Sequence, residues 1–296
     1  MKVFHYSDIG LRSNNEDYIC FSDYAFALCD GVGGIDNGEI ASKLVCEAFI
    51  REARIYHQCE VTITLIENIL TKVQSELNQL AIEQPVLNGI GTTFCAAVFT
   101  GSGLICAHTG DSRIYVIDTM EKKFWKTTDH TVSSELVQSG MMKKSKSRNL
   151  TFTNQLTRAF QAKPETKMTP PDIQKFENIS SRHLIFICSD GINEVMDDFE
   201  LVNILCRKNI SPEDRFNHIR DKCMRYANDN NSAILIQPEI EISRVNTHEE
   251  FENIWTFLNK NNKPEKRDNQ LLSKLFKNSI EALIRKITKT YHTKLQ

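Results

Sequence analysis

Four short acidic segments contain the side chains of this sequence that are best suited to chemistry. They are Arg12–Asp17 (RSNNED), Asp30–Gly34 (DGVGG), Ser189–Gly191 (SDG) and Asp229-Asn230 (DN). Three lie at or near the end of an apolar, strand-like run, so folding can bring their carboxylates together. Because ionised carboxylates cannot cluster without cations to neutralise them, the segments predict one site for hard divalent metal ions. Arg12 is placed beside that site to receive an anion.

The types of ligand indicate which metals and which reaction the site would support. Oxygen ligands favour Mg²⁺ or Mn²⁺ over zinc. A pair of such ions lowers the pKa of a bridging water, so that hydroxide forms near neutral pH. An arginine beside them can hold two oxygens of a phosphate dianion. Together these parts predict in-line hydrolysis of a phosphate monoester by a metal-bridging water or hydroxide, without a covalent enzyme intermediate.

The sequence lacks the signatures of several other catalytic sites. It has no His-Glu-x-x-His segment for zinc and no Gly-x-x-x-x-Gly-Lys loop for nucleotide phosphates. No cysteine is followed six residues later by arginine, which excludes the loop of a cysteine phosphatase. A simple turn is the plainer explanation of any single Asp-Gly pair. It does not explain the whole set.

Composition separates an acidic body from a basic tail. The chain has 296 residues, of which 41% are hydrophobic, and a net charge of −2. That balance gives no general reason to expect binding to nucleic acid. Residues 260–296 contain ten Lys or Arg and three Asp or Glu, a charge of +7, which leaves −9 for residues 1–259. The acidic part therefore contains the motifs.

The cysteines and the apolar runs predict where the protein acts. Nine cysteines, an odd number without paired spacing, favour reduced thiols. The N-terminus has no apolar signal core, and no apolar run approaches the ~20 residues that span a bilayer. We therefore expect a cytoplasmic protein.

The elements that must position the acidic segments suggest an α+β protein. Strands are predicted at Tyr18–Phe21, Tyr24–Cys29, Gly91–Thr100, Leu104–Thr109, Ser112–Asp118, Leu184–Cys188 and Ala233–Ile236. Helices are predicted after a cap at Asp36 or Asn37, and at Val61–Ile82, Glu194–Leu205 and Pro212–Tyr226. Residues 129–154 are expected to form a helix and a mobile loop. Because strands and helices do not alternate regularly, antiparallel sheets with helices packed outside are expected.

Two regions are expected along the chain. Residues 1–239 would form the catalytic domain, and residues 240–296 a C-terminal extension. Within the extension, residues 259–269 are polar, as in a linker. Leu271–Ile287 then has the apolar spacing of an amphipathic helix with a basic polar face. Such a helix favours packing or binding to a partner protein, and binding to a membrane surface stays open.

Seven motifs in order give the sequence a specific resemblance. They are Arg12–Asp17, Asp30–Gly34, Gly91–Thr93, Gly110–Arg113, Asp129-His130, Ser189–Gly191 and Asp229-Asn230. The set resembles the metal-dependent serine/threonine protein phosphatases of type 2C, and the compact length resembles their bacterial branch. The resemblance runs from about Tyr6 to Gln237.

This resemblance implies a fold and a set of metal ligands. The fold is a central sandwich of two antiparallel β-sheets flanked by α-helices (αββα). Asp30 would bridge two Mn²⁺ or Mg²⁺ ions, and the Gly31 carbonyl would bind one of them. Asp190 and Asp229 would complete the shell of the other ion. Asp111 matches a position that helps bind a third ion in bacterial relatives, although it also suits a simple turn before a strand.

The resemblance also implies roles around the metal ions. Glu16 and Asp17 would hold metal-bound waters, and Arg12 would grip the phosphate. Residues 129–154 would form a flap beside the cleft that bears on substrate choice. The substrates would be phosphorylated proteins, opposing a serine/threonine kinase, and the enzyme is expected to be a monomer that binds no nucleic acid.

Val32 departs from the family pattern. Some members have a histidine there, proposed as the general acid, so in this chain that position supplies no proton. Water would have to protonate the leaving oxygen of serine or threonine.

Other readings of the same residues are plainer. Thr92 and Thr93 suit strand packing more than catalysis, and His130 suits a hydrogen bond in the flap more than proton donation. His108 and His183 suit structural positions. The alternative function is a pseudophosphatase, a phosphoprotein-binding or scaffold module that has lost turnover. Such proteins usually lack a metal carboxylate, and this chain lacks none that we can place.

Overall fold

A computed structural model describes residues 1–32, 37–56, 61–142, 155–165 and 168–239, which form two packed β-sheets with helices outside them. Residues 143–154 of the flap and the extension 240–296 lie outside the described residues. The predicted linker and basic helix of that extension therefore stay predictions. No helix within the described ranges is long and apolar enough to cross a membrane.

The first sheet is formed by strands from both ends of the catalytic region. Its strands are β1 (Lys2–Asp8), β7 (Arg113–Asp118), β8 (Lys123–Lys126), β11 (His183–Cys188) and β12 (Asn231–Gln237). They lie in the order β1-β12-β11-β7-β8, and all neighbours are antiparallel. The first and last of the described strands are therefore partners, which closes the described domain.

The second sheet contains the strands that lead to two of the acidic segments. Its strands are β2 (Asp17–Phe21), β3 (Ala25–Val32), β4 (Gly91–Thr92), β5 (Phe94–Thr100), β6 (Gly103–Thr109), β9 (Phe160–Gln161) and β10 (Asp172–Glu177). The order is β10-β6-β5-β3-β4-β9, with β2 paired to β3 and all neighbours antiparallel.

Helices cover the outer faces of both sheets. On the second sheet lie α1 (Gly38–Ile55) and α2 (Ile63–Glu83), followed by a 3₁₀ turn at Pro85–Leu87. On the first sheet lie α4 (Asp190–Val195), α5 (Asp198–Leu205) and α6 (Pro212–Tyr226). The remaining described helix, α3 (Val132–Gln138), belongs to the flap. The predicted αββα sandwich is confirmed.

Strand β3 shows how the sequence specifies these layers. Successive side chains of a strand point to opposite faces. Ala25, Ala27 and Cys29 pack against α1 and α2, while Phe26 and Leu28 face the other sheet. The small residues let the helices approach closely, and the large ones fill the space between the sheets. Because β3 is buried on both faces, its sequence is an apolar run up to Asp30.

Several predicted elements differ from the structure. The predicted helix Glu194–Leu205 is two helices, since Asp197 caps α5 by accepting a hydrogen bond of 2.9 Å from the Glu200 N–H. The predicted strand Gly91–Thr100 breaks at Thr93. Asn37 holds the cap position of α1, but its left-handed backbone, with φ of 102°, leaves its side chain without a capping bond. Strands β1, β8, β9 and β10 were not predicted.

Candidate metal centre

Strand pairing brings the four acidic segments to one end of the sandwich. In the β2–β3 pair, Asp17 stands opposite Asp30. In the first sheet, β11 leads directly into Asp190, and β12 begins just after Asp229-Asn230. Since β11 and β12 are neighbours, these last two carboxylates start from adjacent strand ends. The convergence predicted from the strand ends is confirmed.

The Asp17 side chain is buried, and only one of its two carboxylate oxygens has a hydrogen-bond partner. Its side chain accepts a hydrogen bond of 2.7 Å at Oδ2 from the Ser189 hydroxyl, and that hydroxyl accepts one of 2.9 Å from the Ser232 N–H. The other oxygen, Oδ1, is buried and has no hydrogen-bond partner. An unpaired buried carboxylate oxygen is costly. A divalent ion or a water bound to one would satisfy it.

The main chain of Asp30 is held by two threonines. Its N–H donates to Thr93 Oγ1 at 3.0 Å, and its carbonyl accepts from the Thr93 N–H at 2.8 Å and the Thr92 hydroxyl at 2.9 Å. Thr93 Oγ1 also lies 2.7 Å from Ser112 Oγ. The threonines therefore fix the end of β3 and leave the Asp30 carboxylate free of the strand, as their interpretation as packing residues suggested.

Glycines are required where the segments meet. A Cβ on Gly31 would lie 2.5 Å from the Gly38 carbonyl and 2.9 Å from Glu16 Cβ. The Gly31 N–H also donates to the Glu16 carbonyl at 2.9 Å. Glu16 Oε2 lies against Gly38 at the start of α1. Glu16 is thus beside the segment of Asp30, and its role with bound waters stays a prediction.

A second close approach joins the other two segments. A Cβ on Gly191 would collide with the Asn230 carbonyl oxygen and would lie 3.1 Å from Asn231 Cβ. Gly10, with φ of +60°, packs in the same way against the Asp229 carbonyl. The turn before Arg12 and the helix start at Asp190 therefore both rest on the Asp229-Asn230 dipeptide.

Arg12 lies at the open edge of this site. Its Nη2 is 2.5 Å from Asp229 Oδ2, and its side chain is 60% exposed. The hydrogen bond to Asp229 raises the pKa of the guanidinium. The exposed remainder of the guanidinium is available to a phosphate that enters the cluster from solvent.

Asn230 is the functional residue that sequence reasoning missed. Its Nδ2 donates to the carbonyls of Ile9 and Asn14, each at 2.9 Å, and its Oδ1 accepts from the Glu16 N–H at 2.8 Å. One buried amide thus fixes the loop on both sides of Arg12. The dipeptide Asp229-Asn230 was visible as a motif, but no local signal shows the loop that its amide holds.

Electrostatics support the assignment of cations to the cluster. Burial, followed by repulsion from neighbouring carboxylates, raises the pKa of Asp17 to about 7, of Asp111 to about 8 and of Asp190 to about 6. The same causes raise the pKa of Asp30 well above its usual range. The structure therefore places Asp111 within the field of the cluster. Carboxylates in this state fit hard divalent ions, which replace the missing positive charge.

Arg113, a half-buried arginine, pairs with two aspartates outside the four acidic segments. Arg113 makes a two-pronged ion pair with Asp129, with Nε–Oδ1 at 2.7 Å and Nη2–Oδ2 at 2.5 Å. It also donates to Asp198 Oδ1 at 3.1 Å. These bonds hold the pKa of Asp129 below its usual range. Arg113 therefore fastens α5 to the flap base more than it neutralises the cluster.

A separate group of side chains also offers metal ligands. Potential ligand atoms of His108, His130 and Asp172 all lie within 4.8 Å of one another. However, both ring nitrogens of His130 already make hydrogen bonds, Nδ1 with the Gly110 N–H and Nε2 with Asp172. A metal at His130 would break one of them, so the carboxylate cluster is the candidate metal centre.

Comparison with known proteins agrees with this geometry. The sequence profile of the family described as "Protein phosphatase 2C" matches residues 13–232. The chain belongs to the protein phosphatase 2C family. It is therefore a serine/threonine protein phosphatase by descent, and the resemblance to the bacterial branch is confirmed. The matched residues contain all the predicted metal ligands, while Arg12 lies one residue before them.

Similar proteins and solved structures agree with this family assignment. The serine/threonine phosphatase stp of Listeria innocua is 27% identical over 215 residues, which cover 71% of this chain and 82% of that protein. The crystal structure of the Mycobacterium tuberculosis serine/threonine phosphatase PstP/Ppp has a TM-score of 0.71 at 24% identity, and the match covers 80% of this chain and 98% of that one. It supports the fold.

One solved neighbour was obtained with metal ions. The catalytic domain of the serine/threonine protein phosphatase PstP in complex with two manganese ions has a TM-score of 0.65 at 24% identity. The match covers 79% of this chain and 96% of that one. That neighbour therefore binds ions of the class that the oxygen ligands of this chain suit.

Proposed function

We propose that this protein hydrolyses phosphoserine and phosphothreonine in proteins by direct attack of water, in a site that holds two Mn²⁺ or Mg²⁺ ions. One observation carries the proposal: the carboxylates of Asp17, Asp30 and Asp190, from three distant segments, converge with raised pKa values, beside an exposed arginine that pairs with Asp229 of the fourth segment. When bound, the ions would supply positive charge and acidify a water for attack on phosphorus.

The residues of the chain would divide the work. Asp30, Asp190 and Asp229, with the Gly31 carbonyl, would hold the two ions, and Asp111 would help to hold a third. Asp17 and Glu16 would orient waters, because Asp17 has one buried oxygen without a partner and Glu16 lies against Gly38.

Arg12 would exchange its partner when substrate enters. In the structure its guanidinium pairs with Asp229. With Asp229 holding an ion, the Arg12 guanidinium would lose this partner and would hold a phosphate dianion instead. This change orients the phosphate without a protein nucleophile.

Protonation of the leaving oxygen falls to water in this proposal. Val32 pairs with Gly91 at the end of β3 and has no titratable group. A chain that relies on water at this step is expected to hydrolyse substrates with good leaving groups, such as aryl phosphates, faster than alkyl phosphates.

The proposed substrates are phosphorylated proteins that a serine/threonine kinase produces. The pseudophosphatase alternative loses support, since every carboxylate needed for metal binding is present. The monomeric state, the 1–239 boundary and the partner-binding role of the extension stay predictions from the sequence.

The experiment that tests this function measures phosphate release from a phosphothreonine peptide, with Mn²⁺ and with a chelator. We expect release by the wild-type chain only with Mn²⁺, and its loss in Asp30→Asn. Asp23→Asn is the matched control, since Asp23 is exposed at the other end of β3. Failure of the wild-type chain to release phosphate at any Mn²⁺ concentration would refute the proposal.

A further inference from the structure

The residue before Asp111 is held by two histidines. The Gly110 N–H donates to His130 Nδ1 at 3.1 Å, and the Gly110 carbonyl accepts from the His130 N–H at 2.8 Å. His108 Nε2 lies 3.0 Å from the same carbonyl. The two rings are in contact, with centroids 4.4 Å apart and planes tilted by 38°. Both polar groups of the Gly110 main chain are therefore fixed by these side chains and the His130 backbone.

The hydrogen bonds fix the tautomer of His130. Because Nδ1 accepts from an N–H, the ring proton must lie on Nε2. Nε2 then donates to Asp172 Oδ2 at 3.0 Å, and Arg158 Nη1 donates to the other oxygen, Oδ1, at 2.9 Å. His130 is almost fully buried. Asp172 and Arg158 therefore hold the ring in the orientation that receives Gly110.

His130 is also part of the stem of the flap. Its carbonyl accepts from the Thr157 N–H at 2.9 Å, and the next residue, Thr131, forms an isolated bridge with Leu156. Helix α3 starts directly afterwards, with Thr131 as its cap. A single residue thus contacts both the base of the flap and the turn that presents Asp111.

We propose that His130 is a positioning residue that couples the flap stem to Asp111 and so sets the affinity for the third divalent ion. This inference rests on the proposed function, since it assumes that Asp111 helps to bind an ion. A displaced flap stem would shift the His130 ring away from Asp172, which is fixed in β10, and the Gly110-Asp111 turn would lose its acceptor. Substrate contacts on the flap would then influence the metal site.

Two substitutions remove the two ring hydrogen bonds of His130 one at a time. His130→Asn places an amide oxygen near the position of Nδ1 and keeps an acceptor for Gly110. His130→Gln places its amide near the position of Nε2, keeps a partner for Asp172 and loses that acceptor. Loss of one buried hydrogen bond is expected to weaken the binding of the third ion by roughly tenfold.

The test counts Mn²⁺ bound at equilibrium by dialysis of the full chain, together with kcat and KM. We expect His130→Gln to lose the weakest ion, as Asp111→Asn does, while His130→Asn stays close to wild type. The double variant Asp111→Asn with His130→Gln should lose no more than Asp111→Asn alone, because both act on one ion.

Unchanged Mn²⁺ binding by His130→Gln, or effects that add in the double variant, would overturn the inference. If His130→Gln does not fold, Asp172→Ala serves instead, since this side chain is 58% exposed. Without this acceptor the ring proton can move to Nδ1, which then no longer accepts from the Gly110 N–H, a change that is not open to the amide of His130→Asn. The third ion should therefore bind more weakly. No Mn²⁺ binding by the wild-type chain would refute the proposed function itself, a different outcome.

Discussion

The Ser189 hydroxyl donates a hydrogen bond of 2.7 Å to Asp17 Oδ2, across 172 positions of sequence. It joins the start of β2 in one sheet to the end of β11 in the other. The bond uses one oxygen of Asp17 and leaves the second, buried, for the metal centre. The hydrogen bond that joins the two sheets at this position therefore also orients Asp17 in the candidate site.

Ser189→Ala is expected to lower both stability and metal affinity. Asp17 Oδ2 and the Ser232 N–H would each lose a buried partner, which costs about 1–3 kcal/mol for each group left unpaired. The Mn²⁺ concentration for half-maximal activity should rise at the same time. Urea denaturation and Mn²⁺ activation curves measure the two effects.

Ser211→Ala is the matched control for that prediction. Ser211 Oγ caps α6 by accepting from the Asp214 N–H at 3.0 Å, far from the acidic segments in sequence. Losing such a cap costs about 1 kcal/mol, but the Mn²⁺ requirement should not change. Equal Mn²⁺ requirements in the two variants would show that Ser189 serves stability alone.

Asn230→Asp is expected to disturb the loop of Arg12. A carboxylate cannot donate to the carbonyls of Ile9 and Asn14, and it repels them. A displacement of about 1 Å in a positioning group can cost on the order of 100-fold in rate, so kcat/KM for p-nitrophenyl phosphate should fall by about that factor. Asn228→Ala is the control, because Asn228 contributes its carbonyl to the Leu11 N–H and its side chain is exposed. A similar loss in both variants would contradict the role of the Asn230 amide.

Gly191→Ala is expected to separate the segments of Asp190 and Asp229. The added methyl group would meet the Asn230 carbonyl, and overpacking of this kind typically costs about 1–3 kcal/mol. The matched control is Gly101→Ala, where the methyl group would have no neighbour within 4 Å. Retention of full Mn²⁺-dependent activity by Gly191→Ala would show that the close approach is unnecessary.

The pH dependence of stability tests the state of the carboxylates without metal. The folded pKa of Asp111 is about 8, above its ordinary value of 3.8. A raised folded pKa means that stability present below pH 3.8 is lost as the pH rises through 8. In a chelator, Asp111→Asn should therefore gain stability relative to wild type from pH 4 to pH 8 and level off above. Urea midpoints across this range measure the gain, and a difference that does not vary with pH would contradict it.

The sequence predicts the site better than it predicts the supports of the site. Asp30 and Asp190 each follow an apolar run that ends abruptly, so a local pattern reveals them. The Asn230 amide donates a hydrogen bond to the Asn14 carbonyl, 216 positions away. Nothing in the local sequence specifies that partner. The same holds for Asp17 and Ser189.

The missed strands have a related explanation. Strand β10 is mostly exposed on alternate residues and has little apolar character. It forms by antiparallel pairing with β6, in a register that sets Asp172 opposite His108. Strand β1 is likewise only partly buried and is formed by pairing with β12, at the far end of the described region. In both cases tertiary pairing, not intrinsic propensity, decides the structure.

The most direct test of the metal centre is a calorimetric titration of the metal-free chain with Mn²⁺. The account predicts at least two bound ions for the wild-type chain. Asp30→Asn, with an unchanged circular dichroism spectrum, should lose at least one of them. Binding of the same number of ions with the same affinity by both proteins would contradict the assignment of the acidic segments to one metal centre.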